Sequence, residues 1–142
     1  MPATATPAPE ISLHREEWGE LLLLPAAARL VVRWHGFANS RQLRQLLNRG
    51  LELYRQHAVR FPGLGWLADT RRFGAMLPAD QQWVAADWNA RAWAAGIRHL
   101  VYVQPETIFG QIALQQYART TAATSALRIS CAGSVAEACR LQ

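Results

Sequence analysis

The sequence predicts one α/β domain in which an N-terminal β-hairpin leads into alternating helix–strand units. A chain of 142 residues is long enough for one compact domain and too short for two ordinary ones. Its composition, 51% hydrophobic and 18% charged, is typical of a globular protein. Short apolar runs of strand length alternate with stretches of helical periodicity. This alternation predicts a mixed, mostly parallel sheet packed with about four helices.

The first elements are predicted to be two antiparallel strands. Residues 20–24 and 29–34 are rich in apolar and β-branched residues and are joined by a short Pro-Ala connection. Residues 1–10 are mostly Ala, Thr and Pro, without the basic start and apolar stretch of a signal peptide. We therefore expect a flexible lead over residues 1–17, followed by one domain over residues 18–142.

A long helix and a buried strand are predicted after the hairpin. Apolar residues from Leu43 to Ala58 recur at a spacing of about 3.6 residues, and Ser40 is placed to cap this helix. The sequence Phe61-Pro-Gly63 ends it. Residues 64–68 are apolar and of strand length, so we expect them to form a central strand of the sheet.

A second helix–strand unit is predicted next, and a third helix after it. Pro78 suits the first turn of a helix that runs to about residue 95, where Gly96 ends it. Residues 97–103 have the composition of a strand. Pro105-Glu106 then opens a helix with apolar residues along one side.

The C-terminal unit is predicted to be an edge strand and a short helix. Apolar and polar residues alternate over residues 127–131, which indicates a half-exposed strand. Ser134-Val-Ala-Glu137 has the spacing of a capping box that starts a helix. Cys131 and Cys139 lack the paired spacing of a zinc site or a redox motif, so we expect two reduced thiols in a cytoplasmic protein.

Several short motifs accompany this element order. They are Val31-Val-Arg-Trp-His-Gly36, Leu67-Ala-Asp-Thr-Arg71, Asp80-Gln-Gln-Trp83 with Trp88, Ala94-Ala-Gly-Ile-Arg98 and Glu137-Ala-Cys139. From about Trp18 to the C-terminus, the chain resembles the STAS domain of SpoIIAA-like anti-sigma-factor antagonists, and more closely an uncharacterised bacterial STAS-like group. The resemblance implies a STAS-like fold and a regulatory role through binding another protein.

The resemblance also implies a regulatory turn after the central strand. The antagonists carry an Asp-Ser-Ser-Gly-like turn whose serine is phosphorylated by a partner kinase, and here the turn reads Asp69-Thr70-Arg71-Arg72. A phosphate on Thr70 would pair with Arg71 or Arg72. The structural alternative is that Thr70 closes the turn while Asp69 accepts hydrogen bonds from the backbone or an arginine.

Tryptophans mark the other candidate site. The helix of residues 78–95 is expected to pack on the sheet through Trp83, Ala86, Ala90, Ala94 and the following Ile97. Trp88 lies off that face, so it is either an interface anchor beside Arg71 and Arg91 or packs against a neighbouring helix. An alternative function, a small-molecule or lipid-binding domain, would use an apolar pocket walled by Trp66, Trp83, Trp88 and Phe109.

No complete catalytic motif is present, so we expect a non-enzymatic module without a cofactor. All 15 basic residues are arginine, which excludes chemistry that needs a lysine amine. The four histidines lack metal-ligand spacing. Gly63-Leu-Gly-Trp-Leu-Ala68 matches the letters of a dinucleotide fingerprint, but its glycines precede a strand instead of following one.

Charge and hydropathy indicate which classes of partner to expect. The net charge of +5 is carried by arginines, yet Glu52 dilutes the basic face of the long helix, which favours a solvated surface over a nucleic-acid interface. The longest apolar stretch, residues 21–28, is broken by Pro25 and is too short to span a membrane. We expect a protein partner, and a homodimer because symmetric dimers are the commonest oligomers.

Overall fold

From residue 19 onward, the strands and helices follow the predicted order. The computed structural model describes residues 9–141. The strands are Ile11–Glu16 (β1), Gly19–Leu24 (β2), Arg29–Trp34 (β3), Gly65–Asp69 (β4), His99–Val103 (β5) and Arg128–Ala132 (β6). The helices are Ser40–Ala58 (α1), Pro78–Trp83 (α2), Asn89–Ala94 (α3), Ile108–Thr124 (α4) and Val135–Arg140 (α5). A π-helical turn, Val84–Trp88, joins α2 to α3, so these three segments form one continuous helix.

The six strands form one mixed sheet in the order β1 to β6. β1, β2 and β3 pair antiparallel, whereas β3, β4, β5 and β6 pair parallel. The predicted α/β architecture is therefore confirmed. Since the order in the sheet follows the order in the chain and parallel crossovers are right-handed, the three crossover helices lie on one face of the sheet.

The two faces of the sheet contribute to two separate cores. Val32 and Trp66 belong to the larger core, which includes residues of α1, the α2–α3 helix and α4. Val31 and Leu67 point to the opposite face, where Ala138 of α5 packs with them. Adjacent residues of one strand thus enter different cores, as the alternation of side chains along a strand requires.

The lead predicted over residues 1–17 contains a strand. β1 pairs with β2, with a bulge between Ser12 and His14, so the sheet begins before Trp18. The sequence pattern did not predict this strand, because an edge strand that is half exposed and rich in charged residues lacks a clear apolar alternation. Residues 1–8, which the lead also covers, lie outside the described residues.

The helix predicted over residues 78–95 is present but packs through a different face. The three alanines expected to pack on the sheet are exposed: Ala86, Ala90 and Ala94. Trp88, expected to lie off the packing face, is 2% exposed. Val84, Trp88 and Ala92 are buried at four-residue intervals, a spacing that drifts by roughly 40° per step around an α-helix. The wider π turn opposes that drift and holds the three side chains on one face.

The helix caps differ in one place from the prediction. Asn39, not Ser40, caps α1: its side chain accepts the backbone N–H of Gln42, whose own side chain accepts the N–H of Asn39. The Ser40 hydroxyl instead donates to Asp80 at 2.7 Å and joins α1 to α2. Ser134 caps α5, as predicted.

Within the described range, no helix combines the length and apolar character needed to cross a bilayer.

Candidate functional site

A charged cleft of about 480 Å³ lies at the carboxyl ends of β3 and β4. We call it the carboxyl-edge cleft. Its main charged residues are Glu10, Glu20, Arg33, Asp69, Arg71 and Arg72. The carboxyl ends of parallel strands are where open α/β sheets usually place their binding sites. The predicted regulatory turn is part of this cleft, because Asp69 ends β4 and Arg71 follows it.

Asp69 is the buried centre of the carboxyl-edge cleft. Its side chain is paired by register with Arg33 on the neighbouring parallel strand, whose Nε donates to Oδ2 at 2.9 Å. Arg71 donates its Nε to Oδ1 at 2.8 Å and its Nη2 to Oδ2 at 2.6 Å. Burial acts to raise the pKa of Asp69, but the hydrogen bonds and charges of Arg71 and Arg33 hold that pKa below its usual value.

Arg33 connects three carboxylates. Besides Asp69, it reaches Glu10, to which Nη1 and Nη2 each donate at 3.2 Å, and Glu20, which Nη1 approaches at 3.5 Å. The hydrogen bond to Glu10 raises the pKa of Arg33 most, ahead of the contribution of Asp69 and against the effect of burial. The Nε2 of His35 also lies 3.5 Å from Glu20, which is beyond the usual hydrogen-bond distance.

The hydroxyl of Thr70 is not accessible in this structure. Thr70 is 2% exposed and its Oγ1 donates to the backbone carbonyl of Val103. This geometry agrees with the structural alternative, in which Thr70 closes the turn and Asp69 accepts hydrogen bonds from Arg71. Phosphorylation of Thr70 stays a prediction, and a kinase would first have to open the bond to Val103.

The aromatic residues predicted to wall a pocket lie apart. Trp66 and Trp88 are both buried and pack edge to face, with ring centroids 5.1 Å apart. Trp83 is half-buried near the surface, where the guanidinium of Arg91 lies 5.6 Å from its ring centroid. Phe109 is 72% exposed at the start of α4. The structure therefore does not bring these four aromatic side chains together around one ligand site.

Trp66 and Trp88 instead line a small apolar cavity between the sheet and the helices. Its volume is about 70 Å³. A typical small-molecule site has a volume of at least roughly 300 Å³. In this structure the cavity has room for a few atoms and not for a lipid chain.

An exposed apolar patch lies at the starts of α2 and α4, which follow the carboxyl ends of β4 and β5. The large side chains of the patch are Leu77, Ile108, Phe109 and Ile112. The Nε2 of Gln81 on α2 donates to Oε1 of Gln116 on α4 at 3.2 Å, so the two helices are neighbours. Leu77 and Ile112 each precede one of these glutamines by four residues, so both lie toward the starts of the two neighbouring helices. We refer to the four residues as the apolar patch.

The segment after Asp69 is fixed against the start of α4. The backbone N–H of Glu106 donates to the carbonyl of Arg71 at 2.9 Å, which connects the carboxyl-edge cleft to the apolar patch. Gly110 allows the close approach: a Cβ at this position would overlap the carbonyl oxygen of Phe73 and lie 2.8 Å from the Cβ of Pro105. The patch and the cleft are thus held in one fixed relation by backbone contacts.

We expect Gly110→Ala to lower the free energy of unfolding by about 2 kcal/mol, because the Cβ would displace the backbone of Phe73. This loss outweighs the gain of about 1 kcal/mol from the better helix propensity of alanine. Urea denaturation followed by circular dichroism measures it. Gly74→Ala is the control, because a Cβ there meets nothing within 4 Å. Equal stabilities of the two variants would contradict the close approach at Gly110.

Sequence reasoning did not select several residues of the cleft, among them Glu10, Glu20, Arg33, His35 and Glu106. A signal for two of them was present, because Arg33 interrupts an otherwise apolar strand run and Glu20 directly precedes another. A charged residue in a mostly buried strand requires a partner of opposite charge. No comparable signal marked Glu10, which precedes the first strand.

The residues described by the structure hold no cluster of three or more histidine, cysteine or acidic side chains arranged for a metal ion. Comparison with known proteins finds no matching family model, no matching curated protein and no matching solved structure. A proposal about function therefore depends on the geometry of the carboxyl-edge cleft and the apolar patch.

Proposed function

We propose that this chain is a non-enzymatic regulatory module of STAS-like type that binds another protein through the apolar patch and the adjoining cleft. The observation that supports the proposal is the clustering of exposed apolar side chains at the starts of α2 and α4, with Phe109 72% exposed. Water disfavours such surface, and contiguous apolar patches on soluble domains commonly mark protein interfaces.

The composition around the apolar patch also fits a protein interface. Aromatic residues and arginine are enriched where proteins bind, and a polar rim usually surrounds the apolar centre. Arg71 and Arg72 are exposed in the segment whose backbone is bonded to Glu106, close to Phe109 in the chain. A partner that covers Phe109 would therefore meet guanidinium groups at the edge of the contact.

The pairing of the charged groups favours binding over catalysis. Both carboxylate oxygens of Asp69 accept hydrogen bonds from arginines, so Asp69 itself is not available as a base. At the opposite end of the sheet, His99 and Ser130 lie 2.6 Å apart, but the other ring nitrogen of His99 has no hydrogen-bond partner among residues 9–141. That pair lacks the carboxylate that orients the histidine of a Ser-His-Asp triad.

Affinity capture from the source cells with a tagged full-length chain tests the proposal. We expect Phe109→Ser to reduce recovery of the bound protein at least about tenfold, because a buried aromatic anchor commonly contributes 2 kcal/mol or more to binding. Val59→Ser is the matched control, since Val59 is 83% exposed but follows the C-terminal end of α1, at the opposite edge of the sheet. Equal recovery with both variants, or no protein enriched over the tag alone, would contradict the proposal.

A further inference from the structure

Glu10, just before the first strand, reaches into the carboxyl-edge cleft. Its Oε1 and Oε2 accept hydrogen bonds from Nη2 and Nη1 of Arg33, each at 3.2 Å. This is the two-point geometry with which a guanidinium recognises a carboxylate. The two partners differ in exposure: the side chain of Glu10 is 49% exposed and that of Arg33 is 20% exposed. One partner is thus at the surface while the other is largely enclosed.

Arg33 is held in place independently of Glu10. Its backbone lies in β3, between β2 and β4. Its Nε donates to the buried Asp69, and its Nη1, which also donates to Glu10, lies 3.5 Å from Glu20. With these contacts in place, the edge formed by Nη1 and Nη2 keeps its direction whether or not Glu10 is bound. Such a fixed fork of donors is suited to carboxylates from any source.

We propose that the outer edge of Arg33 is a carboxylate-recognition site, which Glu10 of this chain occupies until an acidic side chain of a protein partner replaces it. The inference rests on the proposed function and names the chemistry of the partner: an acidic residue with apolar neighbours. The two-point contact between Arg33 and Glu10 supports the acidic residue, because the same guanidinium edge is offered to any carboxylate that displaces Glu10 from a cleft that Glu20, Asp69 and Glu106 also line. The connection through Glu106 to the apolar patch supports the apolar neighbours.

Glu10 is a weak competitor in this arrangement. An ion pair with a half-exposed partner is screened by water and salt, so it opens readily. Loss of Glu10 should therefore tighten the binding of an acidic partner by roughly threefold to fivefold, the factor by which such a pair reduces the fraction of free sites. In this proposal Glu10 acts as a weak built-in inhibitor.

Short fluorescent peptides test the exchange on the full-length chain. Each peptide presents one Glu among Leu, Phe and Ser residues and has a twin with Gln in place of Glu, and fluorescence anisotropy measures binding. We expect some Glu peptides to bind about tenfold more tightly than their Gln twins, because charged hydrogen bonds are roughly twice as strong as neutral ones. Glu10→Gln should tighten the Glu peptides by roughly threefold to fivefold and leave the Gln peptides unchanged.

Glu106→Gln is the matched control. It removes the same charge from the same cleft, but Glu106 makes no hydrogen bond to Arg33. Equal tightening by Glu10→Gln and Glu106→Gln would overturn the inference in favour of a net-charge effect. Equal affinities for the Glu peptides and their Gln twins would also overturn the inference. This could occur while Phe109→Ser still reduces recovery of the bound protein, so the two proposals fail separately. Peptides that bind equally well after Leu and Phe are replaced by Ser would overturn the apolar part of the recognition.

The NMR signal of the Arg33 side-chain Nε–H gives a second readout that needs no substitution of Arg33. Removing Arg33 would leave Asp69 buried without one of its donors and endanger folding. We expect Glu10→Gln to shift this signal and a bound Glu peptide to return it toward the wild-type position. A signal that responds to neither would overturn the assignment of Arg33 as the recognition residue.

Discussion

Replacing Trp88 with alanine should lower the free energy of unfolding by about 4 kcal/mol, a large part of the stability of a domain of this size. Its side chain is 2% exposed and packs edge to face on Trp66. Its indole Nε1 donates to the carbonyl oxygen of Leu47 in α1 at 3.0 Å. The substitution removes this bond and the packing, and it enlarges the apolar cavity that Trp88 already lines.

Urea denaturation followed by circular dichroism measures this loss. Trp93→Ala is the matched control in the same continuous helix, because Trp93 is 37% exposed and should contribute about 1 kcal/mol or less. Trp88→Phe retains an aromatic ring without the indole N–H, so we expect a loss of about 2 kcal/mol. Equal losses for Trp88→Ala and Trp93→Ala would contradict the packing face described for this helix.

Asp69→Asn should lower the free energy of unfolding by about 3 kcal/mol at neutral pH. The neutral amide keeps the shape of the side chain but cannot balance the charges of Arg33 and Arg71. Removing one member of a buried ion pair commonly costs about 3 to 5 kcal/mol, and the lower end applies because Arg71 is half-exposed. Denaturation in urea at pH 7 measures the difference.

The difference in the free energy of unfolding between the wild-type chain and Asp69→Asn should depend on pH in a defined direction. Burial acts to raise the pKa of Asp69, whereas the bonds from Arg71 and Arg33 lower it, and the folded-state pKa is below the usual value. The stability that the charged Asp69 carboxylate contributes is therefore fully present above the unfolded-state pKa of about 4. It is lost as pH falls through the lower folded-state pKa.

A series of urea titrations from neutral to strongly acidic pH measures this dependence for the wild-type chain and Asp69→Asn. We expect the stability gap to be constant at neutral pH and to close in acid. Glu106→Gln is the control, since Glu106 is exposed and its removal should leave the wild-type pH profile nearly intact. A gap that persists unchanged in strong acid would show that the charge of Asp69 is not the source of the stabilisation.

Local patterns were sufficient for most of the fold. The apolar spacing from Leu43 to Tyr54 predicts α1, and all the leucines of that stretch are buried. The apolar run that contains Trp66 and Leu67 predicts β4, which lies inside the sheet between β3 and β5. Both features depend on residues that are close in sequence, which is why periodicity detects them.

Local patterns failed where the geometry was irregular or the strand was exposed. A fixed helical period put Ala86 and Ala90 on the packing face, because nothing in the sequence marks the π turn that places Trp88 there. Local patterns did not predict β1 for a different reason. It is an edge strand with charged residues, and it is recognised as a strand only through its pairing with β2.

The sequence by itself determined the order of the elements from β2 onward, the α/β class and the place of the Asp69-Thr70-Arg71 turn at the end of β4. The tertiary structure decided which charges meet there. Arg33 and Asp69 are 36 residues apart, and the parallel register of β3 and β4 brings them together. Glu10 reaches the same guanidinium from before β1. Strand register and chain crossing depend on contacts between distant segments, so local periodicity carries no information about these pairs.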